Sequence, residues 1–301
     1  MARRRHNGVQ AHLRGEGFDR AIGLHHECRA TAAREPGLCA VGAAGLVLAG
    51  VCLVGVAVEG ATIPPEGKLL DAATFCFGVG VFTITIALLL PLAGYAPAAR
   101  RRWRRAFYIF PVYGLLLESV QAFRGIDPRF TEEGSGLDAV AGAIFGITAA
   151  LNVVLFVVLG VRFFRSDVLP DRRVLRLGIR YGVAAVAISF AVGVVMSVNS
   201  GRDIGDEGNL LLSHALGVHG IQAMPIIALV LAASGRPSPM TLLHAVGIGW
   251  IAACTAALAQ ALLGHRPLQA SILTSVIVAG LTVWAVGASY AVVVWRRRMA
   301  V

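Results

Sequence analysis

The chain has 301 residues, of which 56% are hydrophobic and only 15% charged, with a mean hydropathy of +0.72. That composition excludes an ordinary soluble domain and points to an integral membrane protein. A formal net charge of +10 would suggest nucleic acid in a soluble chain, but here the arginines stand in short clusters between apolar runs, where they set topology. The expected partners are therefore the lipid bilayer and a small-molecule ligand, with no nucleic acid.

Residues 1–36 read as a basic cytoplasmic tail, polar and mobile. Its His25–Cys28 stretch, "HHEC", offers metal-ligand residue types but lacks the spaced second half of a metal site. A helix needs about 20 apolar residues to cross a bilayer, and eight runs qualify. The first, 37–58, is longer than the apolar core of a cleaved signal and reads as an uncleaved anchor. The second, 72–96, contains Pro91. The third, 106–123, is the weakest, with Glu118 and Gln121 inside it and Pro111 in its first turns. Without it, the arginine clusters on either side would face opposite compartments. The fourth and fifth follow at 138–161 and 178–198. The sixth, 210–233, carries "SHALGVHGIQAMP", two histidines and a glutamine ahead of Pro225. The last two are 240–263 and 270–295. The expected fold is thus all-α, a polytopic transmembrane helix bundle within 37–301.

Counting arginines orients it. The tail, the "RRRWRR" loop at 100–105, the loop at 162–180 and the "WRRRMA" close are basic, whereas the alternate loops are acidic or mixed and rich in turn residues. Both termini are then cytoplasmic, as expected of a multi-pass protein of a bacterial inner (plasma) membrane. Trp103, Trp295, Tyr95 and Tyr108 fall at span ends on the same inner side, forming an aromatic belt. All cysteines except Cys28 lie in apolar runs, where thiols pack as small hydrophobes. The stretches "QAFRGIDP" from Gln121 and "QALLGHRP" from Gln260 share QAxxGxxP. The same offset lays "FGVG" (77–80) over "LGVH" (216–219), which suggests two four-span halves.

Glu118, Gln121 and Arg124 recur at i, i+3 and i+6, on one face of span three. A carboxylate at depth must be paired, protonated or wet, so Glu118 is a functional candidate. Span six brings His214, His219 and Gln222 within an arc of about 140°. Helical rise puts Glu118 roughly 9 Å and His219 roughly 15 Å below the outer boundary. If spans three and six are neighbours, the two side chains meet and titrate against each other. Arg124 would then hold an anion or neutralise Glu118, with Gln121 and Gln222 orienting a ligand. Asp127, Arg129, Asn199, Asp203, Asp206, Asn209 and His265 add polar groups on the same side. The rival reading is a packing network between helices, at about 0.6 kcal/mol per bond.

His214 and His219 are five apart, the wrong spacing for two ligands stacked on one helical face, so no metal site is expected. His244 enters from the inner side, about 15 Å from the level of His219. No nucleotide-binding loop, zinc-protease motif or nucleophile elbow is present in the sequence, and no particular cofactor is implied. The elements "QAFRGIDPRF" and "HALGVHGIQAMP" resemble those of a group of uncharacterised bacterial multi-pass membrane proteins, which carry QxxRGxxxxF after one span and HxxxxHxxQxxP in a later one. The matching positions are Gln121, Arg124, Gly125, Phe130, His214, His219, Gln222 and Pro225. The resemblance implies that the two motifs contribute to one site and lends no activity. Three functions compete on these residues. The first is binding, sensing or transport of a small solute or protons through an extracytoplasmic-facing pocket. The second is an intramembrane enzyme using Glu118 and His219 as acid and base on a lipid-like substrate. The third is haem-linked electron transfer through His214 or His219.

Overall fold

A computed structural model describes residues 29–234 and 239–299, so the "HHEC" stretch and most of the tail lie outside the described residues. Eight of its helices are long and apolar enough to cross a membrane, and the third is the least apolar of them. In chain order they are α1 (Pro36–Glu59), α2 (Leu69–Leu89), α3 (Pro97–Phe123), α4 (Gly136–Arg162), α5 (Arg173–Val198), α6 (Leu211–Ala233), α7 (Pro239–Leu262) and α8 (Ile272–Met299). The chain is a multi-pass membrane protein by length and composition of these elements.

Three local features differ from the sequence expectation. The "RRRWRR" run is helical, not a loop, because Pro97 opens α3 at its first position and arginine is a good helix former. Pro111 accordingly lies in the interior of α3. Pro91, expected inside the second span, lies beyond the end of α2. It sits in a 3-10 turn, Leu90–Ala93, that ends the helix against Gly94. The third difference is β structure in an otherwise helical chain. Two minimal antiparallel hairpins precede α2 and α6: β1 (Thr62–Ile63) with β2 (Gly67–Lys68), and β3 (Asp203–Ile204) with β4 (Gly208–Asn209).

The chain divides into two compact units. One, here the first unit, comprises Ala32–Arg162 and Val195–Gly201. The second contains Phe163–Val194 and Arg202–Val301. In the first unit α2 packs on α1 and α3, and α3 on α4. Glycines set the closeness of α1 and α2: a Cβ on Gly80 would lie 2.8 Å from the Gly42 carbonyl oxygen, and one on Gly45 2.8 Å from the Gly80 Cα. In the second unit α7 packs on α6 and α8. Its α5 meets α6 through the same device, with a Cβ on Gly217 only 2.8 Å from the Ala185 carbonyl. Small residues let backbones approach where no hydrophobic force drives helices together in lipid. Outward positions such as Val47, Val54, Ile147 and Val158 remain exposed, as a lipid-facing surface requires.

The two units repeat one another in backbone detail at the hairpin end. The Glu66 amide donates to the Gly125 carbonyl at 2.9 Å, and the Glu207 amide to that of Gly264 at 3.1 Å. Gly125 and Gly264 both have φ of +74°, a left-handed conformation that favours glycine. The next amide in each turn returns to a glutamine carbonyl, Ile126 to Gln121 at 2.9 Å and His265 to Gln260 at 3.1 Å. The QAxxGxxP echo is therefore one turn built twice. The hairpin register pairs Leu69 with Leu210 at the start of α2 and α6. Phe77 then corresponds to Val218, two residues beyond the Leu216 that the sequence echo aligns with it.

Away from the hairpins, arginines of both units make specific contacts. The Glu35 carboxylate is fully buried just before α1, 3.2 Å from Arg100 Nε and in contact with Arg104. Arg162 donates to the Ala93 carbonyl at 3.2 Å and lies over the Tyr95 ring. Arg180 closes onto the Phe163 carbonyl at 2.8 Å.

Candidate functional site

The left-handed turn at Gly125 sends the chain back over the end of α3 and lays Arg129 on the carboxylate of Glu118. Arg129 Nε stands 2.5 Å from Oε1, and Nη2 donates to Oε2 at 3.1 Å. The Glu118 side chain is 1% exposed and that of Arg129 29%, so the carboxylate is closed off while the arginine side chain stays partly exposed. Gly142 makes room for this return, since a Cβ there would lie 2.8 Å from the Arg129 carbonyl. Three rings from three helices form the floor. Phe75 of α2, Phe110 of α3 and Phe145 of α4 contact one another, and the guanidinium carbon is 5.5 Å from the Phe75 centroid and 5.8 Å from that of Phe145. Cation–π contact on two rings helps to offset the desolvation of the arginine.

Arg124 does not neutralise Glu118. It closes α3 and points away from it, 52% exposed, with Nη1 donating to Asp138 Oδ1 at 2.6 Å and to Gln121 Oε1 at 2.5 Å. Gln121 Nε2 also donates to Asp138 Oδ1, at 2.8 Å. The other oxygen of Asp138 accepts the Ser135 amide at 2.9 Å and hydroxyl at 2.7 Å, a capping arrangement at the start of α4. The second unit repeats this clamp with neutral groups: Gln260 Nε2 donates to Thr274 Oγ1 at 2.8 Å, and Ser271 caps α8 by accepting the Thr274 amide at 3.0 Å. Gln121 thus fastens the end of one helix to the beginning of the next.

Asp127 shapes the return loop, accepting the amides of Arg129 at 2.8 Å and Phe130 at 2.9 Å. Beneath that loop lies Glu66, which no motif or spacing singled out. Its carboxylate accepts the Thr131 hydroxyl at 2.5 Å and the amides of Glu132, Asp127 and Glu133 at 2.7, 3.1 and 3.2 Å. These bonds, the Thr131 hydroxyl foremost, hold Glu66 well below the ordinary carboxylate range, at about 2. Because the folded value is depressed, the unfolded chain takes the proton first. The stabilisation is complete above about pH 4.5 and is lost as pH falls toward 2. A Glu66→Gln variant is expected to show a flatter melting temperature than the wild type across that window. Coincident curves would show that the loop does not depend on this carboxylate.

In the second unit, His214 of α6 meets α5: its Nδ1 is 3.1 Å from Ser189 Oγ and 3.0 Å from the Ser189 carbonyl oxygen, while Ser189 Oγ donates to the His214 carbonyl at 2.8 Å. His219 Nδ1 lies 3.3 Å from Gln222 Oε1, one turn along the same helix. Asn209 joins the second hairpin to α6, donating to Asp203 at 2.6 Å and accepting the Leu211 amide at 2.9 Å. Asn199 lies in the turn that ends α5, its amide on the Val195 carbonyl at 2.9 Å. His265 has a buried Nδ1 with no hydrogen-bond partner among the described residues. Glu118, Gln121, Arg124 and Asp127 therefore belong to the first unit, and His214, His219, Gln222, Asn209 and His265 to the second.

No protein family, curated protein or solved structure matches the chain.

The candidate residues then divide by comparison of the units with each other. Glu66, Gly67, Gln121, Gly125 and Ser135 recur as Glu207, Gly208, Gln260, Gly264 and Ser271 in the same backbone positions. Glu118 and Arg129 do not recur: the turn register places Ala257 and Leu268 opposite them. The hairpin register likewise places Ala73, Gly78 and Val81 opposite His214, His219 and Gln222. Among the described residues no group of three or more His, Cys, Asp or Glu side chains is placed to hold a metal ion.

Proposed function

We propose that the chain binds, senses or transports a small solute or protons through a polar site in its first unit, centred on Glu118 and Arg129. One observation carries this reading. The second unit builds the same turn as the first, with Ala257 and Leu268 where the first has a buried ion pair. A buried pair is a poor stabiliser relative to apolar side chains of similar size, because desolvation offsets most of the attraction. A pair that the scaffold does not need, set at the end of a membrane helix, is best accounted for by function. The arginine distribution supports an extracytoplasmic hairpin end and cytoplasmic termini in a bacterial plasma membrane.

The test is the Glu118→Ala, Arg129→Leu double variant, which gives the first unit the residues of the second. Reconstituted in vesicles, the wild type is expected to carry a proton or solute flux, or to retain a co-purifying solute detectable by mass. The double variant should lose at least about nine-tenths of it while melting as a folded protein. Equal flux and equal bound solute in both would overturn the proposal.

A further inference from the structure

The geometry points to a small carboxylate as the solute, bound by Arg129 in exchange for Glu118 as that side chain takes up a proton; this rests on the functional reading of the pair. The guanidinium of Arg129 already holds a carboxylate through two of its nitrogens, at 2.5 and 3.1 Å, a fork that matches planar carboxylate oxygens. It is also the reachable member of the pair, at 29% exposure against 1% for Glu118. Glu118 Oε1 is buried beside Arg129 Nε and accepts from no other group among the described residues, so its second lone pair can take a proton.

The charge balance makes the exchange a coupled one. Ionised, Glu118 neutralises Arg129 and leaves the aromatic floor of Phe75 and Phe145 with no net charge above it. Protonated, it releases a guanidinium that is still half-buried against two rings, and a buried cation without a counter-ion is costly. An incoming carboxylate restores neutrality. One proton and one monovalent anion thus enter together, and neither is favoured alone. The other charged or titratable groups of the first unit that face the pair are Asp127 of the return loop, Asp71 and Cys76 of α2 and Cys52 of α1. From α4 the pair meets Phe145, and Asp138 is occupied by Arg124 and Gln121. None of these provides a second cation, so the anion's site is Arg129.

Acetate is the probe, with inorganic phosphate and chloride at matched ionic strength as comparisons, added to the full chain in mild detergent and read by thermal shift. Wild-type protein is expected to bind acetate about tenfold more tightly at about pH 5.5 than at about pH 7.5, because the competent fraction with Arg129 released grows with protonation. Glu118→Gln mimics the protonated form and should bind acetate tightly at both values. Acetate affinity in the wild type that does not change with pH would overturn the proposal, whether or not the variant folds. So would tighter binding of phosphate than acetate. If acetate has no effect while the Glu118→Ala, Arg129→Leu variant still loses its flux or bound solute, the carboxylate is wrong and the functional site stands.

Discussion

Arg129→Leu alone is expected to destabilise the protein by about 3 kcal/mol near neutral pH, whereas Glu118→Ala with Arg129→Leu should fall within about 1 kcal/mol of the wild type. The single variant strands a carboxylate that is 1% exposed and has no cation other than Arg129 in contact with it among the described residues. Its cheapest escape is to take a proton. From an ordinary value near 4.5 that costs about 1.4 kcal/mol per unit of pH, which sets the figure near pH 7. The penalty should therefore shrink to under about 1 kcal/mol near pH 5, a dependence that lost packing alone would not show. The double variant removes both charges and leaves the apolar pair that the second unit already carries as Ala257 and Leu268. Reversible unfolding in detergent, measured for both variants at two pH values, checks the cycle. Additive losses, with no relief on acidification, would mean that the ion pair is not the coupled element described above.

The second large effect is expected at the hairpins. Gly67→Ala and Gly208→Ala should each cost about 1–3 kcal/mol, and by similar amounts. A Cβ on Gly67 would lie 2.4 Å from the Ala122 carbonyl oxygen, and one on Gly208 2.2 Å from that of Ala261. Neither contact can be relieved by turning a side chain, since the obstacle is backbone at the end of α3 or α7. Gly50→Ala is the control, because nothing lies within 4 Å of a Cβ there. It should leave the melting temperature unchanged or slightly higher, as alanine stiffens the unfolded chain and favours helix. Two hairpin variants that behave differently would show that the repeated backbone bonds do not carry comparable weight in the two units.

The helices were legible because each apolar run is long and poor in charge, and hydropathy alone decides such a case. The hairpins were not. Two-residue strands are too short for any alternation to register, and their signal is the shared IxxEG of "IPPEG" (63–67) and "IGDEG" (204–208), which becomes visible only with the fold in hand. Within the candidate site, the helical spacing put Glu118, Gln121 and Arg124 on one face; the first two are buried, and Arg124 is exposed at the helix end. Spacing along one helix could not identify their partners. Arg129 reaches Glu118 through a left-handed turn, and Asp138 reaches Gln121 from the next helix. Glu66 was the hardest to foresee, since every group it accepts from lies 61 to 67 residues away in sequence. For Asp138 there is a local signal, since Ser135 and Asp138 have the S-x-x-D spacing of a helix start.

Helix α3 spans Pro97–Phe123, 27 residues or about 40 Å of rod. Near one tip Arg100 and Arg104 grip the buried Glu35; near the other Glu118 meets Arg129. Pro111 lies between them and, having no amide to donate, leaves one rung of the helix ladder unmade. One helix therefore holds two buried carboxylates, that of the segment leading into α1 through Arg100 and Arg104 and its own Glu118 through Arg129, so its register fixes both ion pairs at once.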